Sequence, residues 1–99
     1  MIYISGSISN DPDYKQKFKK AENYLSDNFP GIIINPIEHA EMNFDVKNTS
    51  WHDFMIFDLN LLKKCNKIYM LNDWKESVGA TIEHMWAKKL GIEIIYEGV

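Results

Sequence analysis

The sequence predicts a small doubly wound α/β fold, a parallel four-stranded sheet of order βαβαβαβ with helices on both faces. Three observations carry that reading. MIYIS (1–5), GIIIN (31–35), KIYML (67–71) and IEIIY (92–96) are short, apolar and rich in β-branched residues, the mark of strands buried on both sides. Segments of helical spacing separate most of them. Parallel neighbours need right-handed crossovers, which place helices on each face of the sheet. A chain of 99 residues, 45% hydrophobic, has room for one domain spanning 1–99 and no second core.

The elements follow in order. The first strand ends at Gly6, where a tight turn fits. Asp11 with Pro12 supplies an N-cap and a first-turn proline, and Tyr14, Phe18, Ala21 and Leu25 recur at helical spacing to about Asn28. Pro30 and Gly31 stop this first helix, and Pro36 ends the second strand. Residues 36–49 have no clear period and carry Pro, Asn and Asp, so they read as a loop. Ser50 and Asp53 have capping spacing and open a second helix to about Lys64. Ser77 caps a third helix that reaches Leu90, and Gly91 stands where a C-cap belongs.

The second and third helices hold more apolar surface than one sheet face can cover. Trp51, Phe54, Met55, Phe57, Leu61 and Leu62 lie on one, Ile82, Met85, Trp86 and Leu90 on the other. Such surplus predicts self-association, as a homodimer or homotetramer. Lys and Arg number 11 against 14 Asp and Glu, a net charge of −3 that draws in no extended nucleic acid. A lone cysteine, Cys65, and the lack of a long apolar stretch read as a cytoplasmic chain with no membrane span.

Doubly wound sheets bind ligands outside the carboxyl ends of their strands, where strand order reverses. That rule selects Ser5-Gly6-Ser7, Asn35-Pro36 and Asn72-Asp73-Trp74, with Ser77, Gly79 and Glu83 beside the third. Gly79 and Glu83 are one helical turn apart, so the missing side chain leaves space above the carboxylate through which a ligand can approach. The helix N-terminus adds partial positive charge that suits a carboxylate or a phosphate. Asp73 suits ribose hydroxyls or a base edge and Trp74 a stacked base; equally, they suit a turn residue and a packed rim aromatic. Neither a G-x-G-x-x-G nor a P-loop pattern is present, so no dinucleotide or Mg-ATP cofactor is expected. His39 has no second histidine at ligand spacing, so no metal is expected, and His52 and Asp53 are adjacent on a helix and do not face each other.

Taken together, YISG at the first strand, a proline after the second, Trp51, Asp53, Met55, Asp58 and Leu59 before the third, and Trp74, Ser77, Gly79, Ala80, Glu83 and His84 after it resemble a small-domain family frequent in phages. That family is distantly similar to nucleoside deoxyribosyltransferases. The resemblance implies two functions. In the transferases the residue matching Glu83 attacks the anomeric carbon of a deoxynucleoside and the base leaves. Members of the phage family look like Thoeris anti-defence sponges, which bind cyclic ADP-ribose-type messengers without cleaving them. The chain lacks the C-terminal segment with which the transferases complete a neighbour's site, and Asn72-Asp73 only partly matches their base-reading acids. These departures lean the expectation toward a sponge, with Glu83 holding a nucleotide instead of attacking it.

Overall fold

Two periodicities shape the molecule. In each strand, alternate residues face opposite helix layers, and in each helix one stripe repeats every three to four residues. The computed structural model describes residues 1–9 and 11–98. Its strands are β1 (Ile2–Ser5), β2 (Ile33–Ile34), β3 (Lys67–Met70) and β4 (Glu93–Tyr96); its helices are α1 (Tyr14–Asn28), α2 (Pro36–Asn43), α3 (Trp51–Leu62) and α4 (Val78–Leu90). Short 3-10 turns occupy Val46–Asn48 and Trp74–Glu76.

All strand pairs are parallel and the order is β2-β1-β3-β4. This is the small doubly wound, Rossmann-like sheet that the sequence predicts. From β1 the chain steps outward to β2, and from β3 it steps the other way to β4, so strand order reverses between β1 and β3. Right-handed crossovers then require α1 on one face and α3 and α4 on the other. Phe18, Ala21 and Leu25 of α1 pack with Ile2, Ile4, Tyr69 and Leu71, whereas Tyr3, Ile68 and Met70 face Leu62 of α3 and Ala80 and Ala87 of α4. Each fully buried Leu or Phe contributes about 1.5–3 kcal/mol.

Two expectations need correction. Residues 36–49 are not a loop throughout. The Asn35 side chain accepts the Ile37 N–H (3.1 Å) with Pro36 in the first turn, so Asn-Pro caps α2 instead of breaking the chain. At its far end Phe44 packs edge-on against Phe54 and Phe57 of α3. The first helix starts later than Asp11-Pro12 suggests, because Asp11 accepts the Asp13 N–H (2.8 Å) in a turn that precedes Tyr14. The face that α4 turns to the sheet is set by its small residues. Its bulky residues Met85, Trp86 and Leu90 are 41–50% exposed, and the stripe against the sheet is Ala80, Glu83, His84 and Ala87. Two alanines let the helix axis approach the strands closely, which carries a carboxylate into the interior.

The predicted caps hold elsewhere. Ser50 accepts from the Asp53 N–H and Ser77 from the Ala80 N–H, both at 3.1 Å, and Gly91 ends α4 with φ of 71°. No helix among the described residues is long and apolar enough to cross a membrane.

Gly6 stands where β1 leaves the sheet beside Leu71. A Cβ there would lie 2.6 Å from Leu71 Cδ1 and 2.9 Å from Leu71 Cβ, so the absent side chain is a packing requirement. Gly6→Ala is expected to destabilise the fold by about 1–3 kcal/mol, read as a lower urea midpoint with an unchanged m-value.

Candidate functional site

Strand β1 has period two, so Tyr3 and Ser5 point to the same face, toward α4. Glu83 is presented from that helix by the stripe it shares with Ala80 and Ala87. The three side chains meet. Tyr3 donates its hydroxyl to Glu83 Oε2, and Ser5 Oγ donates to Oε1 at 2.7 Å. Glu83 is 5% exposed and both its oxygens are engaged. Burial raises its carboxyl pKa to about 7, against the two hydrogen bonds, which favour the charged form. Tyr3 is held well above the usual tyrosine range by burial and the nearby Glu83 and Asp58 carboxylates, so it remains a donor.

A second acid stands in the same place. Asp58 lies on the buried stripe of α3 between Met55 and Leu62, one turn either side. Burial, then the Glu83 charge, raises its carboxyl to about 8, and its Oδ1 has no hydrogen-bond partner. Two buried carboxylic acids with different environments therefore face one space, the less perturbed being the one with two hydroxyl donors.

That space is a cavity of about 690 Å³ at the carboxyl end of β1, a size suited to a small organic ligand. Glu83 and Asp58 lie in its wall. Gly6, Ser7, Ile8 and Ser9 border it from the loop after β1, Tyr14 from α1, Pro36, Ile37 and Ala40 from α2, and Trp51, Phe54 and Met55 from α3. Ser77, Val78 and Gly79 close the side at the start of α4. Met55 of α3 borders the cavity beside Gly79, its Sδ 3.1 Å from where a Cβ on that glycine would stand.

The structure therefore brings Gly6, Ser7, Ser77, Gly79 and Glu83 to one cavity, with Ser5 bonded to Glu83 behind it. The other predicted residues take different positions. Asn35 caps α2 and donates to Glu22 (3.2 Å). Asp73 accepts the Ser7 N–H (3.0 Å) and pairs with Lys17, which also pairs with Asp11. It thereby pins the loop after β1 from outside the cavity wall. Burial works against the Lys17 charge, but the hydrogen bonds to Asp11 and Asp73 prevail and raise its pKa. Trp74 lies on the opposite side of α4, stacked on His84 with ring centroids 4.1 Å apart, and His84 Nε2 is 2.7 Å from the Tyr96 hydroxyl. Burial, with Lys88 and Lys75 nearby, lowers the His84 pKa and keeps the ring neutral. Cys65 is buried, and burial raises its thiol.

Sequence reasoning missed Tyr3, the aromatic walls Tyr14 and Trp51, and the whole of α2, and met Asp58 only within a motif. Signals existed. Asp58 occupies an apolar-stripe position at +3 from Met55 and −4 from Leu62, and Tyr3 shares a strand face with Ser5. Among the described residues no group of three or more His, Cys, Asp or Glu could hold a metal ion.

The family model described as Domain of unknown function (DUF4406) matches residues 1–96, and the chain belongs to that family. No curated protein and no solved structure matches it.

Both raised carboxyl pKa values bind protons more tightly in the folded than in the unfolded state. Stability is greatest where both groups are protonated in either state and falls as pH rises from the ordinary carboxylate range through about 7 for Glu83 and about 8 for Asp58. Tm is expected to drop between pH 5.5 and pH 8.5. Asp58→Asn removes one buried charge with little change of shape, so its Tm advantage over wild type is expected to grow over that interval, at roughly 4–8 °C per kcal/mol. Calorimetry at the two pH values checks this.

Proposed function

We propose that this member of the DUF4406 family acts on the N-glycosidic bond of a nucleoside, with Glu83 as nucleophile and Asp58 as general acid and base. The observation that carries the reading is the pair of buried carboxyl groups in the wall of one aromatic-walled cavity, each in a different electrostatic setting. Glu83 ionises first and is held in orientation by Tyr3 and Ser5. Asp58, its Oδ1 unpartnered and its pKa higher, keeps a proton to give. Pairs of acids whose environments separate their pKa values divide the nucleophile and acid roles in this way.

The chemistry then runs in two steps. The Glu83 carboxylate attacks the anomeric carbon, the carbon–nitrogen bond breaks, and the departing base takes the Asp58 proton. Asp58, now a carboxylate, accepts a proton from water or a second base as that nucleophile displaces Glu83 from the sugar. Tyr14, Trp51 and Phe54 supply aromatic surface for the base or the apolar sugar face. The resemblance to nucleoside deoxyribosyltransferases supports a 2-deoxyribosyl substrate. Exposed Val78, Met85, Trp86 and Leu90 on α4 and Ile56 on α3 support self-association as a homodimer or homotetramer.

One observation favours a second reading, sequestration of a cyclic ADP-ribose-type messenger without cleavage. Glu83 has both oxygens occupied, and a carboxylate so engaged serves as a fixed acceptor. Heat denaturation of protein loaded with such a messenger would then release it intact.

Incubation with 2′-deoxynucleosides is expected to yield free base, measured by chromatography. Glu83→Gln is expected to lower kcat by about 1000-fold or more, and Asp58→Asn by about 100- to 10,000-fold. The rate should follow a narrow bell, rising as the pair loses its first proton near pH 7 and falling as it loses the second near pH 8. Absence of base release, with intact messenger recovered from the protein, would select sequestration instead.

A further inference from the structure

Which form of nucleoside enters is a question of charge. Four carboxyl groups line the cavity, those of Glu41, Asp58, Glu76 and Glu83, against one ammonium, that of Lys15. Lys15 is itself paired with Glu41 at 3.7 Å. Of the other nearby cations, Lys17 pairs with Asp11 and Asp73, Lys19 with Glu22 and Glu38, and Lys75 lies over the Trp74 ring on the other side of α4, while Lys47, beside Val46, is exposed to solvent.

Helix N-termini are the usual alternative for holding a phosphate, and the wall contains the first residue of each of the four helices, Tyr14, Pro36, Trp51 and Val78. Each already has an acid of its own. Asp13 is the N-cap residue of α1, Glu38 and Asp53 stand in the first turns of α2 and α3, and Glu76 lies two residues before the first residue of α4 and lines the cavity. A full negative charge outweighs the roughly half charge of a helix end. The Ser7 N–H, another candidate donor in the loop after β1, is spent on Asp73.

We propose that the cavity selects uncharged nucleosides and rejects their 5′-phosphorylated forms, with Glu41 and Glu76 as the specificity-determining residues. This rests on the nucleoside reading above and names its substrate class. A phosphate brings negative charge to a cavity where carboxyl groups outnumber ammonium groups; Glu41 and Glu76 are exposed at its rim, so the repulsion is strongest at low ionic strength, and it falls on binding before any bond breaks. The same balance opposes the diphosphate of a cyclic ADP-ribose, and so weighs against the second reading.

The test separates binding from chemistry. 2′-Deoxy-9-deazaadenosine has a carbon–carbon glycosidic bond that this reaction cannot cleave, so its affinity and that of its 5′-monophosphate for the intact protein can be compared by titration calorimetry. The nucleoside is expected to bind at least about tenfold more tightly at low ionic strength, and the Glu41→Gln, Glu76→Gln double variant is expected to narrow the gap at least about threefold. Equal or tighter binding of the monophosphate, a gap that the double variant leaves unmoved, or no binding of either compound would overturn the proposal. Failure of the glycosidic chemistry shows separately, as tight binding of the nucleoside without base release from 2′-deoxyadenosine.

Discussion

The structure turns on one buried carboxylate. Glu83 sits in the stripe of α4 that faces the sheet, where an unpaired charge would cost several kcal/mol, and the hydroxyls of Tyr3 and Ser5 make its burial tolerable. That requirement reaches through the molecule. Tyr3 and Ser5 must share a strand face, β1 must be central for α4 to lie over it, and α4 must carry Ala80 and Ala87 to come near enough. Asp58, placed by α3 on the same side, shares the cavity and raises the energetic demand. Folding therefore accepts a pH-dependent cost in order to hold two acids out of water, a pattern more common at reactive sites than in structural cores.

Topology explains why the acids meet where they do. Because strand order reverses between β1 and β3, the crossovers on either side leave a crevice at the carboxyl end of β1. The loop after β1 walls it on one side and α2 with α3 on the other. Asp73 and Lys17 pin that loop from outside, and Gly6 lets it pass against Leu71. These residues act on the site through the backbone they hold.

Much of this was legible in the sequence because the signals were local. Four apolar runs, the Ser50 and Ser77 caps and the Gly91 stop each depend on a few neighbouring residues. Where competing readings shared the same residues, the sequence could not choose between them. Asn35-Pro36 ends a strand and caps a helix with one pair of residues, so α2 passed for a loop. On α4 the surplus apolar residues Met85, Trp86 and Leu90 stay exposed, and close packing against the sheet selects the alanines and with them Glu83, which no count of apolar residues reports. Asp58 and Tyr3 act through contacts with distant parts of the chain, Tyr3 to Glu83 across 80 positions, and no local period reports such a contact. Trp74 stands near a strand end as expected, but the 3-10 turn that holds it sends its ring to His84.

The central claim is that Glu83 becomes covalently bonded to a sugar. Acid quenching of the protein during turnover of a 2′-deoxynucleoside, followed by peptic digestion and mass spectrometry, tests this directly. A deoxypentosyl adduct on the peptide containing Glu83, absent when Glu83→Gln protein is treated alike, is the expected result. Release of base with no adduct on that peptide, or an adduct on a different residue, would contradict the account.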